Sequence, residues 1–192
     1  MKQIIFASRN LGKIKEMKSL LEPFGYQVIS AEEKNLPEVE ENGQSFADNA
    51  IIKAKSAAEI CGVPAISDDS GLCIEKMPNE LGIKTSRFAQ KCGGYPNAFA
   101  EIWRQLDGKS KKAHFICTIA LVYPDGKTYT FEGRCDGQIV PMSNGGEGFG
   151  FDPIFMPDGF DKTFAELSND IKNTISHRAN ATTKLKDFLS NV

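Results

Sequence analysis

The chain has 192 residues, 41% of them hydrophobic and 25% charged, which excludes a disordered, fibrous or membrane-embedded polypeptide and predicts one folded unit. A formal net charge of −2 argues against a broad nucleic-acid surface, which needs clustered excess Lys and Arg, but is compatible with a small anion in a local basic pocket. The five cysteines (Cys61, Cys73, Cys92, Cys117, Cys135) are widely spaced, form no Cys-x-x-Cys pair and read as reduced thiols. The apolar runs Ile4 to Ala7 and Phe115 to Tyr123 are too short for a signal peptide or a bilayer span, so the expected address is the cytoplasm, with no membrane partner.

Residues 2–7, "KQIIFA", read as a buried strand, and "YQVIS", Tyr26 to Ser30, as a second. Between them, Ile14, Met17, Leu20 and Leu21 recur at helical spacing from Gly12 to Glu22, and Pro23 and Gly25 close the helix. Strand, turn, helix and strand in that order predict a parallel α/β start. An acidic loop over residues 32–44 leads to Ser45, an expected N-cap, and to the alanine-rich helix "FADNAIIKAKSAAEIC", stopped by Gly62-Val63-Pro64. "PAIS" predicts a further strand whose C-terminal end delivers "DDSGL". Residues 75–95 show no steady period, and Asn97 to Leu106 form an amphipathic helix. The alternation around Asp125-Gly126 signals a hairpin and therefore a mixed sheet. "NGGEGFGFDPIF" reads as a glycine-rich loop, and Ser176 to Leu189 as a final helix capped by Ser176.

Three runs carry chemistry. The turn Ser8 to Lys13 precedes a helix N-terminus, where backbone N–H groups and the helix dipole favour an anion. It is not a Walker A loop, because Lys13 is followed by Ile14. The plain alternative is a capped helix start with Lys13 in solvent. In Asp68-Asp69-Ser70-Gly71, neighbouring strand side chains point to opposite faces, so at most one aspartate faces a site while the other caps a turn or pairs with a cation. Oxygen ligands in this number, with Glu38, Glu40 and Glu41 on the acidic loop, suit Mg²⁺ rather than zinc, although that loop taken alone reads as solvated surface. Lys53 matters only if Lys13 and Asp69 converge with it. His114 reads as structural, whereas His177, at a helix start with Arg178 behind it, reads as a ligand contact. Phe149 and Phe151 could stack on a base, with Asp152 reading its polar edge.

Taken in order, Ser8-x-Asn10-x-x-Lys13-x-x-Glu16, "EENGQSFADNAIIKA", "SDDSGL", "GFGFDPIF" and "KNTISHR" resemble the inosine triphosphate pyrophosphatase family over nearly the whole chain. The resemblance implies one α/β domain over residues 1–192, elongated, with two lobes around a mixed, twisted sheet flanked by helices. It also implies a homodimer that hydrolyses ITP, dITP and XTP to monophosphate and pyrophosphate with Mg²⁺. By matching position it implies that Ser8, Arg9, Asn10, Leu11, Gly12 and Lys13 bind the triphosphate, and that Lys53 adds positive charge. Asp69 is then the central acid, base or metal ligand, with Ser70 beside it and Glu40 as second metal carboxylate, Glu41 competing for that role. Phe149, Gly150, Phe151 and Asp152 hold the base, Lys172 lies along the nucleotide, and His177 and Arg178 donate to the 6-oxo edge that adenine lacks. Two departures stand out: "NELGIKTSRFAQKCGG" replaces the usual Ser-Ala-Arg-Tyr-like run, and Ala179 stands where Gly is common. A Maf-like pyrophosphatase of other modified nucleotides and a nucleotide-binding module without turnover are the alternative readings.

Overall fold

The computed structural model describes residues 2–143 and 148–191, so the first four residues of the expected glycine-rich loop (Asn144, Gly145, Gly146, Glu147) lie outside the described residues. Strand β1 (Lys2–Phe6), helix α1 (Leu11–Leu21) and strand β2 (Tyr26–Ser30) form the anticipated unit, with β2 parallel to β1 in the register Ile4 to Val28. A 3₁₀ turn over Glu22–Phe24 and Gly25, at φ +82°, end the helix as Pro23 and Gly25 foretold. Helix α2 (Phe46–Cys61) starts at Ser45, whose hydroxyl accepts the Asp48 N–H, and ends at left-handed Gly62.

Strand β3 (Ala65–Ile74) is longer than expected. It runs straight through Asp68-Asp69-Ser70-Gly71, so the aspartates sit within a strand rather than beyond its end. Both are buried and each has found a partner on its own face, which removes the usual reason for charge to break a strand. The chain continues through α3 (Thr85–Lys91), α4 (Tyr95–Gln105), β4 (Lys112–Val122), β5 (Thr128–Ile139), β6 (Phe155–Pro157), α5 (Asn169–Ile175) and α6 (His177–Ser190). The irregular stretch 75–95 therefore hides α3, and the expected C-terminal helix starts one residue later than read. Ser176, extended, ends α5 by donating its N–H to the Lys172 carbonyl and stands immediately before α6, the position expected of its cap.

Among the described residues the strands form one six-stranded sheet in the order β2-β1-β3-β4-β5-β6. It is mixed: β1 pairs parallel with β2 and β3, and β5 antiparallel with β6. Adjacent strands β4 and β5 are joined by a turn closed by Tyr123 and Lys127, far too short for a parallel crossover.

The chain divides into two compact units. The first comprises residues 1–69, 117–133 and 178–192. Strand alternation splits its core in two. Ile4, Phe6, Ile66, Cys117 and Ile119 pack with Ile14, Met17 and Leu21 of α1 and Ala181 and Leu185 of α6. Ile5, Ile29, Ala65, Ala120 and Val122 pack with Ala50, Ala54, Ala57 and Ala58 of α2. The alanine face lets α2 lie close to the sheet, so side chains on its flank reach β3. The second unit comprises residues 70–116 and 134–177, with a core that includes Leu72, Phe99, Ile102, Phe115, Phe151, Phe155 and Phe164. There Gly71 is required by a close approach: a Cβ would collide with the Gly82 carbonyl oxygen and lie 2.7 Å from Thr85 Oγ1. Among the described residues no helix is long and apolar enough to cross a membrane.

Candidate active site

In the first unit, the opening turn is a capped helix start. Asn10 Oδ1 accepts the Lys13 N–H at 3.0 Å, and its own N–H points to Ser8 Oγ at 3.3 Å. Arg9 donates to the Leu36 carbonyl, tying the turn to the following loop, while Leu11 is largely exposed. No acidic side chain stands in the first turn of α1, so the positive end of that helix carries no built-in counter-charge. Asn10 therefore serves the helix backbone, and the groups of this turn able to meet an anion are backbone N–H groups and Lys13.

Lys13 does not lie in solvent. Its ammonium is 3.1 Å from Asp68 Oδ2, and the same oxygen receives Arg178 Nη2 at 2.9 Å and Nε at 3.3 Å. The remaining side of Arg178 pairs with Glu16. Cys117 offers its thiol to Asp68 Oδ2 at 3.7 Å. Burial alone would push the Asp68 carboxyl upward, but Lys13, Arg178 and Lys53 together outweigh it and hold the group well below the usual carboxylate range. Burial likewise works against the Arg178 charge, and Asp68 and Glu16 more than restore it. Cys117 is pushed far upward by burial and by Asp68, so it is a thiol and not a thiolate. Asp68 is thus the paired, structural aspartate that strand geometry demanded.

Asp69 faces the other side of β3, toward α2. Asn49 Nδ2 donates to its Oδ2 at 2.9 Å. Burial raises its carboxyl above the usual value, the nearby Glu41 charge adds to that, and Asn49, Lys53 and Lys13 pull back without prevailing. One turn along α2, Lys53 Nζ donates to the Asp68 carbonyl at 2.8 Å and pairs with Glu41 Oε1 at 2.6 Å. Burial opposes its charge, yet Asp68 and Glu41 raise its pKa overall. The convergence of Lys13, Lys53 and Asp69 is therefore met. Glu41 joins that cluster half-buried, whereas Glu40 is exposed. Among the described residues no three His, Cys, Asp or Glu side chains form a metal cluster.

In the second unit, Ser70 follows Asp69 on β3 and is half-buried. Asp152 Oδ2 accepts the Phe149 N–H at 2.9 Å and Lys172 Nζ at 2.6 Å. The Lys172 ammonium also lies 4.6 Å from the Phe149 ring centroid. Gly150, at φ +62°, makes the turn between them. Phe151 is not presented to a ligand. Its ring is buried, edge-on to Tyr95 and Phe99 at 5.3 and 5.6 Å, because the second Phe of "GFGF" falls on the core side of the turn. His177 is buried and stacked on Phe115 at 4.6 Å with 12° between planes. His177 and Arg178, adjacent in sequence, thus belong to different units.

The residue pattern alone assigns no role to Asn49 or to Cys117, and places Glu16 only within a motif. Glu16 was nonetheless visible: it follows Lys13 by three residues and shares the helix face of Met17 and Leu20, where a carboxylate needs a buried cation.

The Ham1 family model matches residues 4–188. A dITP/XTP pyrophosphatase of Zymomonas mobilis is 42% identical over 93% of this chain and 88% of its own length. Another, from Desulforamulus reducens, is 41% identical over 98% and 96%. Among solved structures, a HAM1 protein from Coxiella burnetii superposes with a TM-score of 0.88 at 35% identity over the whole of both chains. The Staphylococcus aureus Ham1 protein gives 0.85 at 37% identity over 99% of each. With the family's pattern matched almost end to end, and with relatives this similar over nearly their full length, the chain belongs to the Ham1 family.

Proposed function

We propose that this chain hydrolyses non-standard purine nucleoside triphosphates (ITP, dITP and XTP) to the monophosphate and pyrophosphate. The observation that carries the reading is the convergence on β3 of a buried, high-pKa Asp69 with Lys13 and Lys53, beside an α1 N-terminus without its own counter-charge. The names of the relatives from Zymomonas mobilis and Desulforamulus reducens support the same substrates.

The chemistry follows from the residues. Water attacks the α-phosphorus, the bond from that phosphorus to the bridging oxygen of the β-phosphate breaks, and pyrophosphate leaves. Asp69 takes the water proton, through a bridging water where its carboxylate would also hold a cation, and burial raises its pKa above that of an ordinary carboxylate in the protein alone. Lys13, Lys53 and the N–H groups from Ser8 to Lys13 face the growing negative charge. Asp68, ionised at neutral pH between Lys13 and Arg178, holds Lys13 in place rather than reacting.

A divalent cation fits this set. The Glu41 charge is close enough to help raise the Asp69 carboxyl, and Mg²⁺ characteristically takes one or two carboxylates and fills its remaining positions with phosphate oxygens and water. Asp69 with Glu41 would hold it, Glu40 being more exposed, and the ion would neutralise charge on the phosphates. Within the second unit, Phe149 offers a ring face, Asp152 and Lys172 a polar edge, and His177 a donor, a set suited to a 6-oxo purine base. Arg178, as placed, gives its guanidinium to Asp68 and Glu16, so its expected contact with the 6-oxo edge is assigned to His177 instead. The assembly implied by the resemblance is a homodimer, which light scattering of the purified chain tests.

The test is steady-state pyrophosphate release from ITP, dITP, XTP, GTP, ATP and TTP with Mg²⁺, using wild type and Asp69→Asn. Release from the first three, lost in the variant, supports the reading. Equal rates on ATP would remove the 6-oxo selectivity argument, whereas GTP shares the 6-oxo group and its rate reports discrimination at the 2-amino position.

A further inference from the structure

The cluster around Asp69 is held by two rungs on one face of α2, four residues apart. Asn49, 1% exposed, donates from Nδ2 to Asp69 Oδ2 and accepts the Gly43 N–H at Oδ1, each at 2.9 Å. Lys53 reaches the Asp68 carbonyl and Glu41. Each rung therefore grips one residue of the acidic loop and one of β3. The loop lies directly on the first turn of α2: a Cβ at Gly43 would stand 2.5 Å from Asp48 Cβ and 2.7 Å from Asn49 Oδ1. Satisfying the Gly43 N–H alone would need only an acceptor, which Asp or Ser also supplies. An amide is required only when the same side chain must also donate to a carboxylate without bringing a charge of its own. Fully buried side chains that meet both demands at good distance are worth more than either bond alone, because each end fixes the other.

We propose that Asn49 is a positioning residue whose amide ties the Asp69 carboxylate to the loop at Gly43, and so sets the spacing of the two carboxylates, Asp69 and Glu41, that receive the divalent cation. This rests on the function proposed above. Partners that orient a metal-binding carboxylate typically change metal affinity or activity by 10–100-fold when removed.

The experiment uses the full chain with Asn49→Ala, the milder Asn49→Ser, and Gly43→Ala, which pushes on the same bond from the loop side. Mn²⁺ binding to the nucleotide-free protein is titrated by electron paramagnetic resonance, alongside kcat and KM for ITP and the melting temperature. Asn49→Ala is expected to weaken Mn²⁺ binding about 10-fold and to lower kcat by about 10–100-fold, with KM for ITP within about threefold of wild type. Asn49→Ser and Gly43→Ala are expected to move in the same direction by less. A lower melting temperature with native Mn²⁺ affinity and native kcat would mean a merely structural asparagine and overturn the proposal. Should Asn49→Ala fail to fold, native Mn²⁺ affinity in both other variants overturns it and weakened affinity in either supports it. Wild-type protein that releases no pyrophosphate from ITP would instead overturn the function on which this rests, whatever the variants do.

Discussion

The buried group of Lys13, Arg178, Glu16 and Asp68 makes a quantitative prediction. Replacing Asp68 by Asn keeps the shape but removes the one carboxylate shared by both cations. It receives three contacts from them, at 2.9, 3.1 and 3.3 Å, in a place where Arg178 is 1% exposed and water cannot take over. Removing one partner of such a buried pair costs about 3–5 kcal/mol. Glu16→Gln is milder, since Arg178 keeps both bonds to Asp68 and exchanges one charge-assisted bond for a neutral one, a loss of about 1–1.5 kcal/mol. For a chain of this length about 2–4 °C of melting temperature accompany each kcal/mol, so Asp68→Asn should melt roughly 6–20 °C below wild type. Urea denaturation of the nucleotide-free protein, followed by circular dichroism, measures both variants. Equal losses, or a loss below about 1 kcal/mol for Asp68→Asn, would refute the idea that Asp68 is the shared counter-charge.

Other consequences follow from the same geometry. The folded pKa of Asp68 lies below its unfolded value, so its stabilisation is present above about pH 4 and is lost as pH falls further. Wild type should therefore lose more stability than Asp68→Asn on acid titration below that point, and parallel curves would contradict the assignment. Gly71→Ala should cost about 1–3 kcal/mol in denaturation, because the new methyl meets the Gly82 backbone. Lys172→Met strands the buried Asp152 carboxylate and should cost about 3–5 kcal/mol. Much of that loss should return when Asp152→Leu is added, and stability that does not recover would count against the pair.

Much of this arrangement was legible from residue type. The β-branched runs, Pro23-Gly25 and the cap at Ser45 foretold β1, α1, β2 and α2, because local chemistry alone decides such ends. Strand alternation alone separated the two aspartates, and the structure puts Asp68 with cations on one face and Asp69 against α2 on the other. What escaped depends on tertiary partners. A strand running through Asp68-Asp69 looks like a loop until Arg178, 110 residues away, supplies the counter-charge. Helices α3 and α5 have seven residues each, too few for a period to show. Phe149 and Phe151 are equivalent in "GFGF", and only the packing of Tyr95 and Phe99 draws the second into the core.

The proposed reaction is cleavage between the α- and β-phosphates of a 6-oxo purine triphosphate. Phosphorus-31 NMR of ITP turnover by wild-type protein with Mg²⁺ reads the products directly. IMP and pyrophosphate should appear together in equal amounts, whereas IDP with orthophosphate, or unchanged ITP, would refute this cleavage.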